Sequence, residues 1–531
     1  MKKLFSTIIN EKYFFLILTL YFITGLVIFS DYGISWDEVN ERKSGFVTLN
    51  EIYKILNLNI LEGYPDLSNY MYREYGVLFN LPLAFIEDFA KIKDIEDVFL
   101  LRHLINFLIF FLGSIFFYFT LRIYYSQTIS IIGFLFLILS PRFFAEAFYN
   151  NKDIIFLSFY SISFYYFSKY FIERKNSFIF FFSLFASMAI NVRVLGILIV
   201  LIFIFVLFLE GLNSKKIFKK NSLEIIKCLL LVSILSYLLW PFLWLNPLEN
   251  LIYTFKSMSS YNWRGLVFFL GEYHQAKNIP WNYTITLFLV TTPLIIIIFF
   301  LIGAFFSFKD LILNYLNIDN KECSNLWTNN FQFFNIIALL NIIIILSYVI
   351  LFDSTLYGSW RHTYFLYPFI IILSIYSIYI LREYIKYKLI LIISFFSILS
   401  SLFWIINNHP YQFVYYNVLT KNKIKANFEL DYWGVSNKDS LEYLLNNFKK
   451  NKLFIYVYSN SPYYYSKNLI DKDKRDKIIF VKKIEDAEFV LTNHYYLNQN
   501  PTKKDKYLYD NFELINQIIV NNIAINSIFK K

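Results

Sequence analysis

Long apolar runs separated by short polar segments dominate the first three quarters of the sequence. A membrane-spanning helix needs about 20 predominantly apolar residues, so each run is a candidate span. The runs predict about eleven transmembrane helices, at roughly 12–30, 99–123, 127–140, 153–172, 177–192, 194–210, 224–241, 282–308, 333–352, 363–381 and 387–406. Only Asn191-Val192-Arg193 separates the fifth run from the sixth.

Two of the polar segments show the three- and four-residue spacing of amphipathic helices. The first extends from Glu38 to Asn57, and the second extends from Asn250 to Ser259 after the Asn246-Pro247 break. Helices of this kind lie in the membrane interface and line a cavity, or they simply cap a helix bundle. The spacing leaves both alternatives open.

The pattern changes after His409-Pro410, where the chain becomes polar and rich in Lys, Asn and Asp. Short apolar runs at 453–457, 478–481 and 488–491 predict strands, and Ser440 to Phe448 predicts a helix. We therefore expect a membrane domain over residues 1–409, with long loops at 31–98 and 242–281. A small soluble α/β domain should follow over residues 410–531.

Composition supports the membrane assignment and excludes other classes. The chain is 57% hydrophobic and 22% aromatic, with a mean hydropathy of +0.46, which is outside the range of ordinary soluble domains. Its formal net charge of +11 is spread along the chain rather than gathered in a patch, so we expect no nucleic-acid partner. Cys228 and Cys323 support neither a disulfide framework nor a thiolate metal site.

The short loops indicate the orientation of the protein in the membrane. Cations cluster on one side, namely Lys2 and Lys3, Arg174 and Lys175, Lys215 to Lys220, and Arg382 to Lys388. By the positive-inside rule this side is cytoplasmic. We therefore expect a bacterial plasma-membrane protein with a cytoplasmic N-terminus and an extracytoplasmic C-terminal domain.

Candidate chemistry begins with Asp37 and Glu38, two adjacent acids just after the first apolar run. A carboxylate here could act as a general base that takes a proton from an attacking hydroxyl. Acids are also favoured in the first turn of a helix by the helix dipole, without any catalytic role. Adjacent helical residues point about 100° apart, so only one of the two need face a cavity.

A second group lies in the short outer loop from Ser140 to Asp153. Arg142 and Lys152 could bind a phosphate, while Glu146 and Asp153 add two acids. Helices are often flanked by basic residues, which is the alternative explanation for the two cations.

Further candidates lie on the same outer face. Arg193 interrupts two apolar runs with almost no loop around it, and such an arginine lines a cavity, pairs with an acid or snorkels to the headgroups. Arg361 and His362 lie at the start of another run, and Glu272 and His274 lie in the second long loop. These acids and histidines could bind a divalent metal, but no recognisable ligand spacing joins them, so no cofactor is assigned.

Several motifs together resemble those of polytopic GT-C glycosyltransferases, and most closely bacterial family 39 members, which are similar to protein O-mannosyltransferases and the lipid A aminoarabinose transferase. The first-loop acids in Gly33-Ile34-Ser35-Trp36-Asp37-Glu38 carry this resemblance. It continues in the second-loop segment 140–153, in Trp360-Arg361-His362 and in segment 428–434.

The resemblance implies transfer of a sugar, with inversion, from a polyprenyl-phosphate donor to a protein, lipid or glycan acceptor outside the cell. Asp37 would be the catalytic base with Glu38 beside it, and Asp153 would be the second-loop acid. Arg142 or Lys152 would contact the donor phosphate. Physical grounds, rather than the resemblance, add Arg193, Arg361 and His362 to the phosphate site and Glu146, Glu272 and His274 as other cavity candidates.

A transporter or flippase of lipid-linked sugars is the main alternative, because it would use the same outer cations. Transporters usually place ionisable residues near the bilayer midplane and often contain inverted repeats. Here the ionisable residues collect at one face, and the sequence shows no repeat.

Overall fold

The computed structural model describes residues 11–259, 263, 265–316, 326–420, 423–495 and 503–531. Lys2 and Lys3, which support the expected orientation, and Cys323 lie outside these residues.

The apolar runs and the segments between them form a succession of helices through residue 407. These are α1 (Lys12–Ile28), α2 (Trp36–Ile55), α3 (Asn80–Phe89), α4 (Ile95–Tyr124), α5 (Gln127–Ile138), α6 (Pro141–Tyr149), α7 (Asp153–Glu173), α8 (Asn176–Val192), α9 (Ile197–Gly211), α10 (Lys215–Leu239), α11 (Phe242–Leu245), α12 (Pro247–Ser259), α13 (Tyr283–Thr291), α14 (Leu294–Leu316), α15 (Asn330–Leu351), α16 (Tyr367–Leu381) and α17 (Tyr387–Asn407).

Every predicted span coincides with helix, which confirms the polytopic helical fold. Among the described residues, seven helices are long and apolar enough to cross a membrane, or up to eight if α5 and α6, bent by 61°, form one span. The run 282–308 differs from the prediction because it divides into α13 and α14. Thr292 is extended at ψ 143° before Pro293, and a residue that precedes proline is driven out of the helical region.

The two amphipathic segments are also helical. The first is α2, and the second is α12, which begins three residues before the predicted start, with its proline in the first position. Proline is well suited to this position because the first turn has no intrahelical partner for its missing N–H.

Close helix packing holds the bundle together. Helix α4 contacts α7, α7 contacts α8, and α14 contacts α16. A side chain at Gly303 would place Cβ 1.8 Å from the Leu373 carbonyl oxygen, so only glycine permits α14 and α16 to approach this closely.

The C-terminal region is a small α/β unit, as predicted. Its short helices are α18 (Ile424–Asn427), α19 (Asn437–Asn447), α20 (Tyr463–Ser466), α21 (Lys472–Arg475) and α22 (Lys503–Asn511). Strands β1 (Leu266–Phe269) and β2 (Glu272–Gln275) form a separate hairpin between α12 and α13. The C-terminal strands are β3 (Leu453–Val457), β4 (Ile478–Phe480), β5 (Phe489–Thr492), β6 (Glu513–Val520) and β7 (Ile523–Lys530). The sheet order is β4-β3-β5-β7-β6, with β3 parallel to both of its neighbours.

This α/β unit packs against the loop that follows α1. The Lys438 ammonium donates to the Ser30 carbonyl at 2.8 Å, and the Arg475 guanidinium lies 3.4 Å from Asp94. A Cβ at Gly33 would lie 2.3 Å from the Val435 carbonyl oxygen, which explains why the first-loop motif begins with glycine. The C-terminal unit therefore lies on the same side of the bundle as the first long loop.

Candidate active site

A polar cavity of about 360 Å³ lies between α2, the ends of several spans and the C-terminal unit. We call it the Asp37 cavity. Its charged and histidine lining residues are Asp37, Glu41, Lys152, Arg193, Arg361 and His362. Its aromatic lining residues are Trp36, Tyr72, Tyr75, Trp263, Tyr357, Tyr432 and Tyr495.

Asp37 faces this cavity from the first turn of α2. Its Oδ2 accepts a hydrogen bond from the Arg361 guanidinium at 2.6 Å, and its side chain is 32% exposed. Burial raises the pKa of the Asp37 carboxyl, but Arg361, Lys152 and Arg193 outweigh burial and hold that pKa below its ordinary value. Asp37 is therefore ionised and oriented in the free protein.

Glu38 points away from the cavity and stabilises the start of α2. Its Oε2 accepts from the Ser35 backbone N–H at 2.6 Å, as in a capping box. Its Oε1 lies 2.9 Å from His103 Nε2, and both side chains are buried. The two adjacent acids thus have different surroundings, and the candidate base is Asp37.

Glu38→Ala should lower stability, because the Ser35 N–H and His103 would both lose a buried partner. An unsatisfied buried polar group costs about 1–3 kcal/mol. Thermal unfolding in detergent should show a clearly lower Tm than for Lys43→Ala, which changes an exposed residue of the same helix. Equal Tm values for the two variants would contradict this structural role.

Asp153 lies behind the cavity and joins two of its arginines. It begins α7, is 1% exposed, and forms an ion pair with Arg193. Its other oxygen lies 3.7 Å from Arg361. Asp153 is not among the residues that line the cavity, and its contacts are with the two guanidinium groups.

Lys152 and His362 also line the Asp37 cavity. The Lys152 ammonium lies 3.0 Å from Glu41 Oε1 and 3.5 Å from the centre of the Tyr75 ring. His362 packs its ring edge-on to Tyr357, with the two centres 4.8 Å apart. Of the five residues predicted to bind phosphate, the structure thus brings four into this cavity: Lys152, Arg193, Arg361 and His362.

Arg142 and Glu146 belong to a different buried cluster, which corrects their placement beside Lys152. Both residues lie in helix α6, which is buried along its whole length. Glu146 accepts from the Tyr364 hydroxyl at 2.8 Å and from Asn150 at 2.7 Å. Arg142 lies over the Tyr416 ring, 4.0 Å from Glu146.

Glu272 and His274 also lie outside the Asp37 cavity. Both are on β2 of the β1–β2 hairpin, where Glu272 is exposed and His274 is half-buried near Phe269. The hairpin therefore keeps these two cavity candidates out of the Asp37 cavity.

A second, mostly apolar cavity of about 490 Å³ adjoins the first. Its walls come from α9, α12 and α15, with Leu198, Leu201 and Ile345 among the lining residues. Five residues line both cavities and mark the junction between them, and Arg193 and His362 are the two among them with a basic side chain; the others are Tyr75, Met258 and Thr355. A ligand with an apolar tail and an anionic head matches this combination.

The sequence did not single out several of the lining residues, among them Glu41, Tyr432, Asn460 and Tyr495. Glu41 is one helical turn after Asp37, so the i, i+4 spacing was a readable signal. Tyr432 lies in the 428–434 motif and packs near Arg361, with 5.5 Å between ring centre and guanidinium. Asn460 and Tyr495 carry no sequence signal, because their position depends on how the C-terminal unit packs.

The described residues contain no group of three or more His, Cys, Asp or Glu side chains that could hold a metal ion.

Comparisons with solved structures show similarity to ArnT from Cupriavidus metallidurans. The apo structure is 9% identical, covers 96% of this chain and 97% of that chain, and has a TM-score of 0.46. The structure bound to undecaprenyl phosphate is also 9% identical with the same coverage, at a TM-score of 0.43. No curated protein sequence matches the chain significantly.

Residues 85–240 match the model of the family described as dolichyl-phosphate-mannose-protein mannosyltransferase. This segment includes the second-loop residues Lys152 and Asp153 together with Arg193. The match confirms that this multi-pass membrane protein resembles the GT-C class of membrane glycosyltransferases, as its motifs predicted.

Proposed function

We propose that the protein is an inverting glycosyltransferase that moves a sugar from a polyprenyl-phosphate donor to an acceptor hydroxyl. The reaction takes place at the outer face of the plasma membrane. One observation carries the proposal: the polar cavity that contains Asp37 meets an apolar cavity at Arg193 and His362. The family match of residues 85–240 supports the same reaction class.

The donor spans both cavities. Its lipid chain lies in the apolar cavity, whose walls include lipid-facing residues of α9 such as Leu201. Its phosphate lies at the junction, where Arg193 and His362 donate hydrogen bonds and Lys152 adds positive charge. Its sugar then projects into the Asp37 cavity, beside the candidate base.

The chemical step needs a base on one side of the anomeric carbon and cations on the other. The acceptor hydroxyl transfers its proton to the Asp37 carboxylate while its oxygen forms the new bond to the anomeric carbon. The bond from that carbon to the phosphate oxygen breaks, and its electron pair leaves with the lipid phosphate. Arg193 and Lys152 stabilise the charge that develops there.

Arg361 positions the base rather than the leaving group. It is 2% exposed and lies between the Tyr357 and Trp433 rings, at 4.7 and 4.9 Å from their centres. Its guanidinium holds Oδ2 of Asp37, so Oδ1 is the oxygen that accepts the acceptor proton. The arrangement orients the carboxylate before the acceptor arrives.

The outer location follows from the charges of the short loops. The inward-facing loops carry the excess of lysine and arginine, and Asp37 lies in a long loop on the opposite side. The C-terminal unit packs against that same long loop.

The direct test is to reconstitute the purified protein in liposomes with dolichyl- or undecaprenyl-phosphate mannose. With water as the only acceptor, the expected result is slow release of the lipid phosphate and of mannose with inverted anomeric configuration, measured by NMR. Movement of the intact donor between leaflets without release would instead support the flippase alternative. Release with retained configuration would overturn the inverting mechanism.

Leu201→Trp should weaken donor use, because a bulky ring would occupy part of the apolar cavity. Leu201 is 54% exposed on α9, so the larger side chain should not disturb the bundle interior. The donor KM should rise by about tenfold, equivalent to about 1.4 kcal/mol of lost binding. Leu230→Trp is the matched control, since Leu230 is 58% exposed on α10 and does not line the cavity. An equal donor KM in both variants would contradict the lipid site.

Lys152→Gln should shift the pH dependence of transfer. Lys152 is one of the cations that lower the pKa of Asp37, so its removal should raise that pKa. The base must be ionised, and the acid limb of the kcat/KM profile should therefore move to higher pH. Lys91→Gln, at a 75% exposed side chain, should leave the limb unchanged. A profile identical to wild type in Lys152→Gln would argue against Asp37 as the titrating base.

A further inference from the structure

One wall of the Asp37 cavity comes from the C-terminal unit. Asn460 and Tyr495 line it, together with side chains from the membrane part. We call these two residues the roof. Asn460 is exposed, whereas Tyr495 is 7% exposed and packs edge-on to Tyr432, with ring centres 5.7 Å apart.

The roof is built at an edge of the sheet that is well suited to ligand binding. Asn460 follows β3 and Tyr495 follows β5, and these two strands are parallel neighbours. The carboxyl ends of adjacent parallel strands meet at one edge, where α/β sheets commonly bind ligands. The connecting loops are therefore brought together by strand register rather than by chance proximity.

Hydrogen bonds hold the two loops in one arrangement. The Asn460 backbone N–H donates to the Tyr495 carbonyl at 2.9 Å. The Asn493 N–H donates to Ser459 Oγ at 3.1 Å, and the Asn493 amide donates to the Asp431 carbonyl at 2.8 Å. The last bond ties the roof to the loop that carries Tyr432 beside Arg361.

The roof lies on the acceptor side of the proposed reaction. The junction with the apolar cavity includes Arg193 and His362, and neither roof residue takes part in it. Tyr432 connects the roof to Arg361, which in turn holds Asp37. An inverting transfer needs the acceptor next to the base, and the roof lines the same cavity as Asp37.

The chemistry of this wall suits a carbohydrate better than a peptide. Flat aromatic rings pack against the C–H faces of sugar rings, and an asparagine amide both donates to and accepts from hydroxyls. Peptides are often bound by backbone pairing with a strand edge. None of the described residues that line this cavity lies in a β-strand.

We propose that Asn460 and Tyr495 form an acceptor subsite that binds a carbohydrate, either a free glycan or the sugar headgroup of a glycolipid. The inference rests on the proposed function for its place in the reaction. Asn460 hydrogen-bonds the hydroxyls of the acceptor sugar, and the small exposed part of Tyr495 completes the wall beside it. The C-terminal unit therefore decides which acceptor reaches Asp37.

The test measures binding without any donor. Wild-type protein in nanodiscs is titrated with lactose, chitobiose and maltose, and with a short serine- and threonine-rich peptide, by saturation-transfer NMR. At least one carbohydrate should bind. Asn460→Ala should raise the Kd of that carbohydrate on the order of tenfold, which corresponds to about one lost hydrogen bond. Tyr495→Phe is the second variant. It keeps the packed ring, so its carbohydrate affinity should stay close to that of the wild type. Asn511→Ala, at an exposed asparagine outside the cavity, is the control.

The outcomes separate this inference from the proposed function. Binding of the peptide alone, no carbohydrate binding, or equal affinities in Asn460→Ala and Asn511→Ala would each overturn the subsite. Donor cleavage by the wild type is measured separately, and its absence would overturn the proposed function while leaving the binding result to stand. Where donor is cleaved, the ratio of transfer to hydrolysis should fall in Asn460→Ala. To separate glycolipid from free glycan, the bound sugar is compared as a soluble oligosaccharide and as a lipid-linked headgroup.

Discussion

Asp37→Asn should lower kcat for sugar transfer by between about 10²- and 10⁴-fold, the range expected for loss of a general base. An asparagine amide keeps the size of the side chain but cannot accept the proton of the acceptor hydroxyl. The donor should still bind, because its proposed contacts are with Arg193, His362 and Lys152. Transfer is measured with radiolabelled donor, and donor affinity is measured separately by equilibrium binding.

The control for this variant is Asp31→Asn. Asp31 belongs to the same loop, is 45% exposed, and pairs with His409 outside the Asp37 cavity. It should transfer at a rate close to wild type. Undiminished transfer by Asp37→Asn, with normal expression and Tm, would remove the catalytic assignment.

Arg361→Met should lose both stability and transfer. Arg361 is buried and compensates two carboxylates, Asp37 at 2.6 Å and Asp153 at 3.7 Å. Removing one partner of a buried ion pair typically costs about 3–5 kcal/mol, because the remaining charge has no compensation. Arg361→Lys keeps the charge but neither the fork geometry nor the ring stacking. Compared with Arg361→Met, it should therefore restore the Tm more fully than the rate of transfer.

Two further variants make this prediction specific. Arg382→Met changes an exposed arginine just after α16 and should leave Tm and transfer near wild type. The double variant Asp37→Asn/Arg361→Met also removes the carboxylate that loses its hydrogen-bonded partner, so its Tm should recover in part while transfer stays lost. A Tm of Arg361→Met equal to that of Arg382→Met would contradict the proposed charge compensation.

The helical architecture was predictable from the sequence because a bilayer imposes a simple length requirement on apolar runs. Each run is helical, and the strands at 453–457 and 478–480 lie where their apolar residues predicted. The division of 282–308 was also readable in principle, since Pro293 interrupts the run. These features depend on local composition, which the sequence displays directly.

The division of roles between Asp37 and Glu38 was only partly readable. Ser35 and Glu38 have the spacing of a capping box, a local signal that favours a structural role for Glu38. The contact of Glu38 with His103 and that of Asp37 with Arg361 join residues far apart in the chain. Such contacts follow from helix packing, which no local pattern reports.

By itself, the sequence determined that this is a polytopic membrane protein with a polar C-terminal region, and it offered candidate acids and cations from several loops. Tertiary structure alone decided which of those residues meet. The bend before α6 buried Arg142 and Glu146 apart from the cavity, and the β2 hairpin took Glu272 and His274 elsewhere. Docking of the C-terminal unit brought in Asn460 and Tyr495. Burial and charge pairing are properties of neighbours in space, and only the packed chain has them.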